Sequence, residues 1–542
     1  MAKMKLHEAL AKALADNGVA PLFGVVGDAN AYLVDAYLRQ FGGRYVAAAN
    51  ENGAVLAGIG AAMVSGGTGF ATVTHGPALT NCVTALAEAV RSFTPLVLLC
   101  GDTPVADREN LQNIDQREVV TAAGAGFEQM RSPETAVADL ARAVRRARAE
   151  RRPVAFNMPA DMLWANVEYE PVSWSGPDLA PSRLDGEALD NAIGIIASAR
   201  RPIVLAGRGA IDAASRAALI RLARRIEAPL ATTMRAKDLF RGEDHCLGVF
   251  GTVSTPQASE AILAADCVIA FGAGLNFHTT AQGSFIKGKR VIQVADRAED
   301  LGRGAVADVP ILGLPKDVAE TFLHWLDEAE IPASGFTREL PQQGLDVPPP
   351  AAATGHREGT VDFLPTLARL DALLPADRIL VTDAGRWMVR SYGLLTAPAP
   401  QDRVTSASFG SIGLGMGSAI GAAAVRPDRP TVLFCGDGGF MLGNLAEFNT
   451  AVREKLDMIV VVFNDGSYGA EHIQLTQKQM DPGISLFDWP ALAPLAEALG
   501  GAGVEVRSSA DLDRLPDVIA ARDRSKPLLI DVKTDPDHVA MW

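Results

Sequence analysis

Two polar residues follow the ends of neighbouring apolar segments in TVLFCGDGGFMLGNLAEFNTAVREKLDMIVVVFNDGSYGAEH, residues 431–472. The pattern predicts a strand, a Gly-Asp-Gly-Gly turn, a helix, a second strand and an Asn-Asp-Gly turn. In a right-handed βαβ unit both strands end at one edge of the sheet, so Asp437 and Asn464 should lie side by side. A carboxylate, an amide oxygen and nearby backbone carbonyls suit Mg²⁺, so the segment predicts a magnesium site.

The glycines beside this site leave room for a phosphate group at the start of the helix. Gly436, Gly438 and Gly439 carry no side chain that would exclude it, and helix N-termini bind anions. Phosphate oxygens would complete the coordination of the cation. Either turn alone is more often an ordinary loop, whereas the two together favour a functional site.

This pair of motifs resembles the signature of the thiamine diphosphate (ThDP) enzymes, in which GDG is followed some 25 residues later by Asn, as it is here between Gly438 and Asn464. Further segments resemble, in order, the acetolactate synthase and benzoylformate decarboxylase branch: FGVVGDAN (23–30), ENGAVLAGIGAAMVSGGTG (51–69), THGPALTN (74–81), RPIVLAGRGAI (201–211) and FGSIGLGMGSAIGAA (409–423). The resemblance covers nearly the whole chain. It implies ThDP and Mg²⁺ as cofactors, with Asp437, Asn464 and Gly466 holding the metal.

Glu51 is the one carboxylate in the otherwise small and apolar segment VAAANENGAVLAGIGAAM. A buried carboxylate must be paired or held neutral, because burying an isolated charge is costly. The resemblance implies that Glu51 hydrogen-bonds the aminopyrimidine of ThDP and promotes formation of the carbanion at C2. The alternative is an acid that caps the amides of its own helix.

The resemblance also indicates which residues hold the cofactor. Ile412 falls where the family places a bulky apolar residue beneath ThDP, although FGSIG alone would suit a core isoleucine. Residues 383–385 match a loop that contacts the diphosphate, but Arg386 and Trp387 depart from the family pattern there. Arg386 is either a ligand of an anion or a solvated surface residue. The cofactor-binding candidates are Pro77, Asn81, Asp383, Ala384, Gly385, Gly410, Ser411, Ile412, Gly436, Asp437, Gly438, Gly439, Asn464, Gly466, Ser467 and Tyr468.

Three further side chains are candidates for catalysis beside Glu51. His75 lies in a loop that faces the cofactor in the family, where a histidine suits proton transfer. Gln112 matches a glutamine of the synthases, although Asn113 replaces the glutamate that follows it there. Glu471 has the spacing from Asn464 seen in pyruvate decarboxylase-like enzymes, and the alternative for it is an exposed acid at a helix N-terminus. His472 is a weaker candidate.

The composition excludes several classes of protein. The chain has 542 residues and a mass of 57.0 kDa, with 48% apolar and 21% charged residues, a formal net charge of −14 and a pI near 5.2. These values argue against a disordered chain, a nucleic-acid scaffold or a binder of anionic membranes. The five cysteines form no CxxC pair, and neither a signal peptide nor an apolar membrane span is evident. We therefore expect a cytoplasmic enzyme.

Alternation of β-rich apolar runs and Ala-rich helical stretches predicts an α/β fold of three parallel-sheet domains. We expect domains at residues 1–175, 187–330 and 359–542, with linkers from Pro171 to Gly186 and across residues 331–358. The resemblance assigns these domains as pyrimidine-binding, central Rossmann-like and diphosphate-binding. Its FAD-binding members carry an arginine-containing segment where this chain has FGAGLNFHTT, so we do not expect FAD.

The resemblance implies decarboxylation of a 2-oxo acid to an enamine, followed by protonation to an aldehyde or by attack on a second carbonyl to form an acyloin. It also implies a homodimer or homotetramer with active sites shared between chains. The alternatives are an acyltransferase or aldehyde lyase, and a ThDP-binding protein without turnover. A nicotinamide dehydrogenase would need a GxGxxG that follows a strand, which the sequence lacks.

Overall fold

Three six-stranded parallel sheets make up the computed structural model, which describes residues 2–175 and 186–538. Helices connect the parallel strands, as the alternation of apolar runs and Ala-rich stretches requires. The prediction of three parallel-sheet α/β domains is confirmed. Residues 176–185 of the predicted linker between Pro171 and Gly186 lie outside the described residues.

The N-terminal elements are β1 (Ala2–Lys5), α1 (Leu6–Asp16), β2 (Leu22–Gly24), α2 (Ala31–Arg39), β3 (Tyr45–Ala47), α3 (Glu51–Ser65), β4 (Gly69–Val73), α4 (Pro77–Thr80), α5 (Val83–Ser92), β5 (Leu96–Asp102), α6 (Gln116–Ala122), β6 (Gly126–Gln129), α7 (Ala136–Glu150), β7 (Pro153–Pro159) and β8 (Asn166–Tyr169). The sheet order is β3-β2-β4-β5-β7-β6. Residues 2–5 form a short strand and do not belong to the helix that begins at Leu6. That segment pairs antiparallel with β8, where Lys3 lies opposite Glu168, and opposite charges stabilise such pairs.

The central elements are α8 (Glu187–Ser198), β9 (Pro202–Ala206), α9 (Ala213–Ile226), β10 (Leu230–Thr232), β11 (Cys246–Val249), α10 (Pro256–Ala264), β12 (Cys267–Phe271), β13 (Arg290–Ala295), β14 (Val309–Leu312) and α11 (Pro315–Glu328). The sheet order β11-β10-β9-β12-β13-β14 is that of a Rossmann-type sheet.

The C-terminal elements are α12 (Phe363–Leu373), β15 (Ile379–Asp383), α13 (Met388–Leu394), β16 (Arg403–Ser406), α14 (Gly415–Val425), β17 (Thr431–Gly436), α15 (Asp437–Gly439), α16 (Leu445–Arg453), β18 (Met458–Asn464), α17 (Gly469–Gln477), α18 (Leu492–Ala498), β19 (Ala502–Val506), α19 (Ser509–Ala521) and β20 (Leu528–Lys533). A π-helical turn, Phe440–Asn444, joins α15 to α16. The sheet order β16-β15-β17-β18-β20-β19 repeats that of the N-terminal sheet.

The chain forms two compact units. One contains residues 186–352 and 389–400, and the other contains residues 2–175, 353–388 and 401–538. Within the first unit, Phe336 and Leu345 are buried in the core beside the central sheet, so part of the segment 331–358 packs with that sheet. Among the described residues, no helix is long and apolar enough to cross a membrane.

Helices α3 and α14, both in the second unit, pack so closely that their backbones are in contact. A Cβ on Gly60 would lie 1.9 Å from the Ser418 carbonyl oxygen, and one on Gly421 would lie 1.8 Å from the Ala57 carbonyl oxygen. Glycine is therefore required on both helices. This contact joins the helix that begins at Glu51 to the helix that follows the loop of Ile412.

We expect Gly421→Ala to lower the stability of the protein by about 1–3 kcal/mol, because the added methyl group forces the two helices apart. The matched control is Gly194→Ala in α8, where a Cβ has open space around it. Helix propensity there favours alanine by up to about 1 kcal/mol. Thermal unfolding of both variants checks the prediction, which an unchanged Tm for Gly421→Ala would contradict.

Candidate active site

A cleft lies at the carboxyl edge of the C-terminal sheet, between the ends of β15 and β17. The strand order reverses direction between these two strands, and open α/β sheets bind ligands at such points. The predicted site residues that line the cleft are Ala384, Gly385, Ile412, Gly436, Asp437, Gly438, Gly439, Ser467, Tyr468 and Glu471.

Asp437 and Asn464 lie at the ends of the adjacent strands β17 and β18. One oxygen of Asp437, Oδ2, accepts hydrogen bonds from the Gly466 backbone N–H and the Trp489 indole N–H, both at 2.9 Å. The amide nitrogen of Asn464 donates to Asp531 at 2.9 Å, which turns the amide oxygen to the opposite side. The remaining oxygens of Asp437 and Asn464 are thus suited to a cation.

The charge around Asp437 also favours a cation. Burial and the neighbouring Asp465 carboxylate raise the pKa of Asp437 to about 8. Asp465 itself is paired with Arg386, whose Nη2 donates at 2.5 Å while Nη1 donates to the Pro536 carbonyl at 2.8 Å. Arg386 is buried, so the alternative of a solvated surface arginine is wrong. Within residues 2–175 and 186–538, no three His, Cys, Asp or Glu side chains form a metal-binding group, so a cation held by Asp437 would take its other oxygens from the Asn464 amide, backbone carbonyls, water or a bound ligand.

Asp383 is fully buried and faces the backbone of the neighbouring loop. Its carboxylate accepts hydrogen bonds from the N–H groups of Ala384, Gly413 and Leu414 at 2.8, 2.9 and 3.2 Å. Burial nonetheless raises its pKa to about 7. Asp383 therefore holds the loop that carries Ile412, and Ile412 forms part of the cleft wall.

The helix after Asn464 places one of its two candidate acid–base groups in the cleft. Glu471, in the first turn of α17, is exposed and lines the cleft. His472 is buried, with Nε2 at 2.8 Å from Asp537 and Nδ1 at 3.4 Å from the Ser485 hydroxyl. His472 therefore anchors two neighbouring segments of the chain.

The N-terminal candidates lie together at the carboxyl edge of their own sheet. Glu51, at the start of α3, accepts a hydrogen bond from the Asn81 amide at 2.9 Å. His75 follows β4 and is buried, with Nε2 at 3.4 Å from Asp28 and Nδ1 without a hydrogen-bond partner among the described residues. Pro77 begins α4. Neither these residues nor Gln112 are among those that line the C-terminal cleft, so one chain presents two separate halves.

Three side chains that position site residues were not predicted from the sequence. Gln116 accepts the Gly76 N–H at 2.8 Å and donates to Asn157 at 2.6 Å, which fixes the turn after His75. Asp531 orients Asn464, and Trp489 donates to Asp437. Asp531 had a signal, since it is a carboxylate within the apolar strand PLLIDV. Gln116 and Trp489 lie in polar or mixed segments with no such signal.

Comparison with known families matches the three domains in order. Residues 4–122 match the thiamine pyrophosphate enzyme N-terminal TPP binding domain, residues 189–322 the central domain, and residues 381–532 the C-terminal TPP binding domain. Thiamine pyrophosphate is another name for ThDP. The chain belongs to the ThDP enzyme family.

Relatives of this ThDP enzyme carry different names. The chain is 27% identical to a "probable acetolactate synthase large subunit" of Methanocaldococcus jannaschii, over 98% of this chain and 92% of that protein. It is 28% identical to the sulfoacetaldehyde acetyltransferase of Rhodobacter capsulatus, over 98% and 94%. It is 29% identical to a "probable 2-ketoarginine decarboxylase" of Pseudomonas aeruginosa, over 97% and 93%.

The cleft of this ThDP enzyme fits a diphosphate group. A Cβ on Gly438 would lie 2.7 Å from the Tyr468 ring, and one on Gly439 would lie 2.9 Å from the Asp383 carboxylate, so glycine is required for the backbone of this turn to approach the cleft wall so closely. The indole N–H of Trp387 is buried without a hydrogen-bond partner among the described residues, and it lies against Gly385 and Gly436. A buried donor without a partner is costly, and a phosphate oxygen in the cleft would satisfy it.

We expect Mg²⁺ binding to strengthen with pH, because the cation requires the ionised carboxylate of Asp437. Below the pKa of about 8, affinity should fall up to about tenfold per pH unit, with release of about one proton on binding near pH 7. Calorimetric titration of Mg²⁺ into the cofactor-free protein, in buffers of different ionisation enthalpy, measures both quantities. Asp437→Asn should abolish binding. An affinity that is flat between about pH 6 and pH 9 would contradict the raised pKa.

Trp387→Phe keeps the aromatic ring but removes the unpartnered donor, and we expect it to weaken ThDP binding about tenfold or more. Trp174→Phe is the matched control, since its indole N–H is also buried without a partner among the described residues but lies in the N-terminal core. Calorimetry with Mg²⁺ and ThDP compares the two variants. Equal dissociation constants in both would exclude a hydrogen bond from Trp387 to the cofactor.

Proposed function

We propose that this chain is a ThDP- and Mg²⁺-dependent enzyme that removes CO₂ from a 2-oxo acid and passes the remaining fragment to a proton or to a second carbonyl compound, as in acetolactate synthases. The observation that carries the proposal is the cleft lined by Asp437 and by Trp387, whose indole N–H has no partner among the described residues, with the oriented amide of Asn464 at the end of the adjacent strand. In this proposal residues 1–175 bind the pyrimidine and residues 359–542 bind the diphosphate and the cation.

The C-terminal residues would bind and orient the cofactor. The free oxygens of Asp437 and Asn464, with the Gly466 carbonyl, would hold Mg²⁺. That carbonyl accepts the Phe487 N–H at 2.8 Å, and its second lone pair is available. The Trp387 N–H would donate to the diphosphate, and Ile412 would support the cofactor from the cleft wall. When bound, ThDP supplies a nucleophilic carbon that adds to a carbonyl and stores the electrons released when CO₂ leaves.

The N-terminal residues and Glu471 would handle protons. The Glu51 carboxyl group would hydrogen-bond the aminopyrimidine, with Asn81 fixing its orientation through the bond at 2.9 Å. His75 has an imidazole nitrogen without a partner among the described residues, which suits a contact to substrate or a proton transfer. Glu471, at the mouth of the cleft, would exchange a proton with the reacting carbon. Gln112, at the same carboxyl edge of the N-terminal sheet, would contact the substrate.

We propose that the active site is completed by a second copy of the chain, in a homodimer or homotetramer. The cleft contains the diphosphate half of the site, whereas Glu51 and His75 lie outside its lining in the same chain. Two chains arranged with twofold symmetry would bring each Glu51 to the cleft of its partner.

Acyl transfer is a second candidate function. The sequence Gly-Ala-Glu at residues 469–471 is similar to that of some ThDP-dependent acyltransferases. Relatives named sulfoacetaldehyde acetyltransferase match almost the full length of the chain. In that case the acceptor of the two-carbon fragment would differ, while the residues that bind ThDP would stay the same.

The test is CO₂ release from pyruvate, 2-oxobutyrate and benzoylformate, with and without ThDP and Mg²⁺, with the products identified by NMR. We expect release that depends on both cofactors. Acetolactate as product would indicate a synthase, and free aldehyde or a mixed acyloin would indicate a decarboxylase or ligase. Addition of sulfoacetaldehyde and phosphate tests acyl transfer.

Glu51→Gln is the accompanying variant. It should retain ThDP binding and lose most turnover, because the amide cannot exchange the proton that the carboxyl group does. Unchanged turnover in this variant would overturn the role of Glu51. No release from any of the acids, despite ThDP binding measured by calorimetry, would overturn the 2-oxo acid proposal.

A further inference from the structure

Two buried glutamates connect the N-terminal and C-terminal sheets. Glu447, in α16, is 1% exposed, and Glu88, in α5, is fully buried. Among the described residues, no lysine or arginine forms an ion pair with either. Each carboxylate therefore depends on backbone N–H groups of the opposite part of the chain for compensation of its buried charge.

Glu447 holds the turn that leads into Glu51. Its Oε1 accepts the N–H groups of Ala49 and Asn50 at 3.0 and 3.1 Å. Asn50 in turn caps α3 by accepting the Gly53 N–H at 2.7 Å. A Cβ at Gly53 would lie 2.0 Å from the same Glu447 oxygen, so the carboxylate lies directly against the first turn of the helix.

Glu88 holds the loop that leads into Ile412. Its two oxygens accept the N–H groups of Ser408 and Phe409 at 3.0 and 2.7 Å. Asp383 holds the other end of that loop through Gly413. The segment between these two carboxylates is short and includes Gly410 with a φ of +82°, so its path is fixed at both ends.

We propose that Glu447 and Glu88 are reciprocal positioning residues: each sheet supplies the carboxylate that places the other sheet's cofactor-facing residue, Glu51 or Ile412. The proposal rests on the roles proposed above for those two residues. Hydrogen bonds from backbone N–H groups to a carboxylate are stronger than neutral ones, and small misplacements of a reacting group cost large factors in rate. The two glutamates thus act on the reaction without touching the cofactor.

Glu447 and Glu88 should respond differently to substitution by glutamine, because they use their carboxylate oxygens differently. Glu447 uses one oxygen for both N–H groups, while its Oε2 is buried without a partner among the described residues. Glutamine keeps that single acceptor, so Glu447→Gln should behave like the wild type and Glu447→Leu should not. Glu88 uses both oxygens, so Glu88→Gln sets an amide NH₂ against a backbone N–H and breaks one bond.

The readout is deuterium exchange of the C2 proton of bound ThDP, quenched at successive times and measured by NMR, which requires no substrate. We expect Glu447→Leu and Glu88→Gln to slow exchange about tenfold or more, while ThDP affinity measured by calorimetry and the Tm change little. Glu447→Gln should exchange at the wild-type rate. The matched control is Glu128→Gln, a buried acid paired instead with Arg142 and Arg146.

Glu51→Gln separates this inference from the proposed function. If Glu51→Gln leaves exchange unchanged, the proposed role of Glu51 fails. If Glu51→Gln slows exchange but Glu447→Leu and Glu88→Gln do not, the two glutamates only stabilise the fold, and the inference is overturned. If Glu447→Leu does not fold, the comparison of Glu447→Gln with Glu88→Gln still tests the inference. Equal C2 exchange rates in these two variants would overturn it.

Discussion

The carboxylate of Asp437 is the constraint on which the site depends. The fold buries it at the end of β17 beside a second carboxylate, Asp465, and its pKa rises to about 8 as a result. Arg386 compensates Asp465, while the groups that donate to Asp437 are the backbone N–H groups of Gly438 and Gly466 and the indole N–H of Trp489. None of these donors carries a positive charge. In the proposed function a divalent cation would supply that charge to Asp437, and a diphosphate would complete the coordination of the cation.

The N-terminal and C-terminal sheets have the same strand order, but different functional residues lie at their carboxyl edges. In the N-terminal sheet Glu51 follows the edge strand β3 and His75 follows β4, next to the reversal of strand order, whereas in the C-terminal sheet Trp387 and Asp437 follow β15 and β17, the two strands that flank the reversal. The sequence motifs alone were too general to indicate this repetition. The two carboxyl edges carry different residues, Glu51 and His75 on one and Asp437 and Trp387 on the other. In the proposed oligomer each edge would face the complementary edge of a partner chain.

Apolar runs in the sequence indicate the central strands of each sheet more clearly than the strands at the edges. Central strands such as VLFC in β17 are apolar throughout because both faces are covered. Edge strands β6, β11, β14, β16 and β19 are short: β14 alternates between buried and exposed positions, and β19 is half-buried over its first four residues. The site shows the same division: local motifs predicted the residues in the cleft, whereas Trp489, Gln116 and the burial of Arg386 depend on distant segments that no local pattern encodes.

Buried carboxylates fix several backbone segments at this site, and backbone N–H groups compensate the buried charge of most of them. Asp383 and Glu88 fix the Ile412 loop, and Glu447 fixes the turn before Glu51. Glu447 lies on the helical segment that begins at Asp437, about 15 Å along the axis at 1.5 Å per residue. One continuous helical segment therefore begins at Asp437 and packs against the turn that leads into Glu51. A Cβ on Gly438 or Gly439 in this segment would lie 2.7 Å from the Tyr468 ring or 2.9 Å from the Asp383 carboxylate, so a side chain at either glycine would shift the segment and displace Asp437 and that turn together.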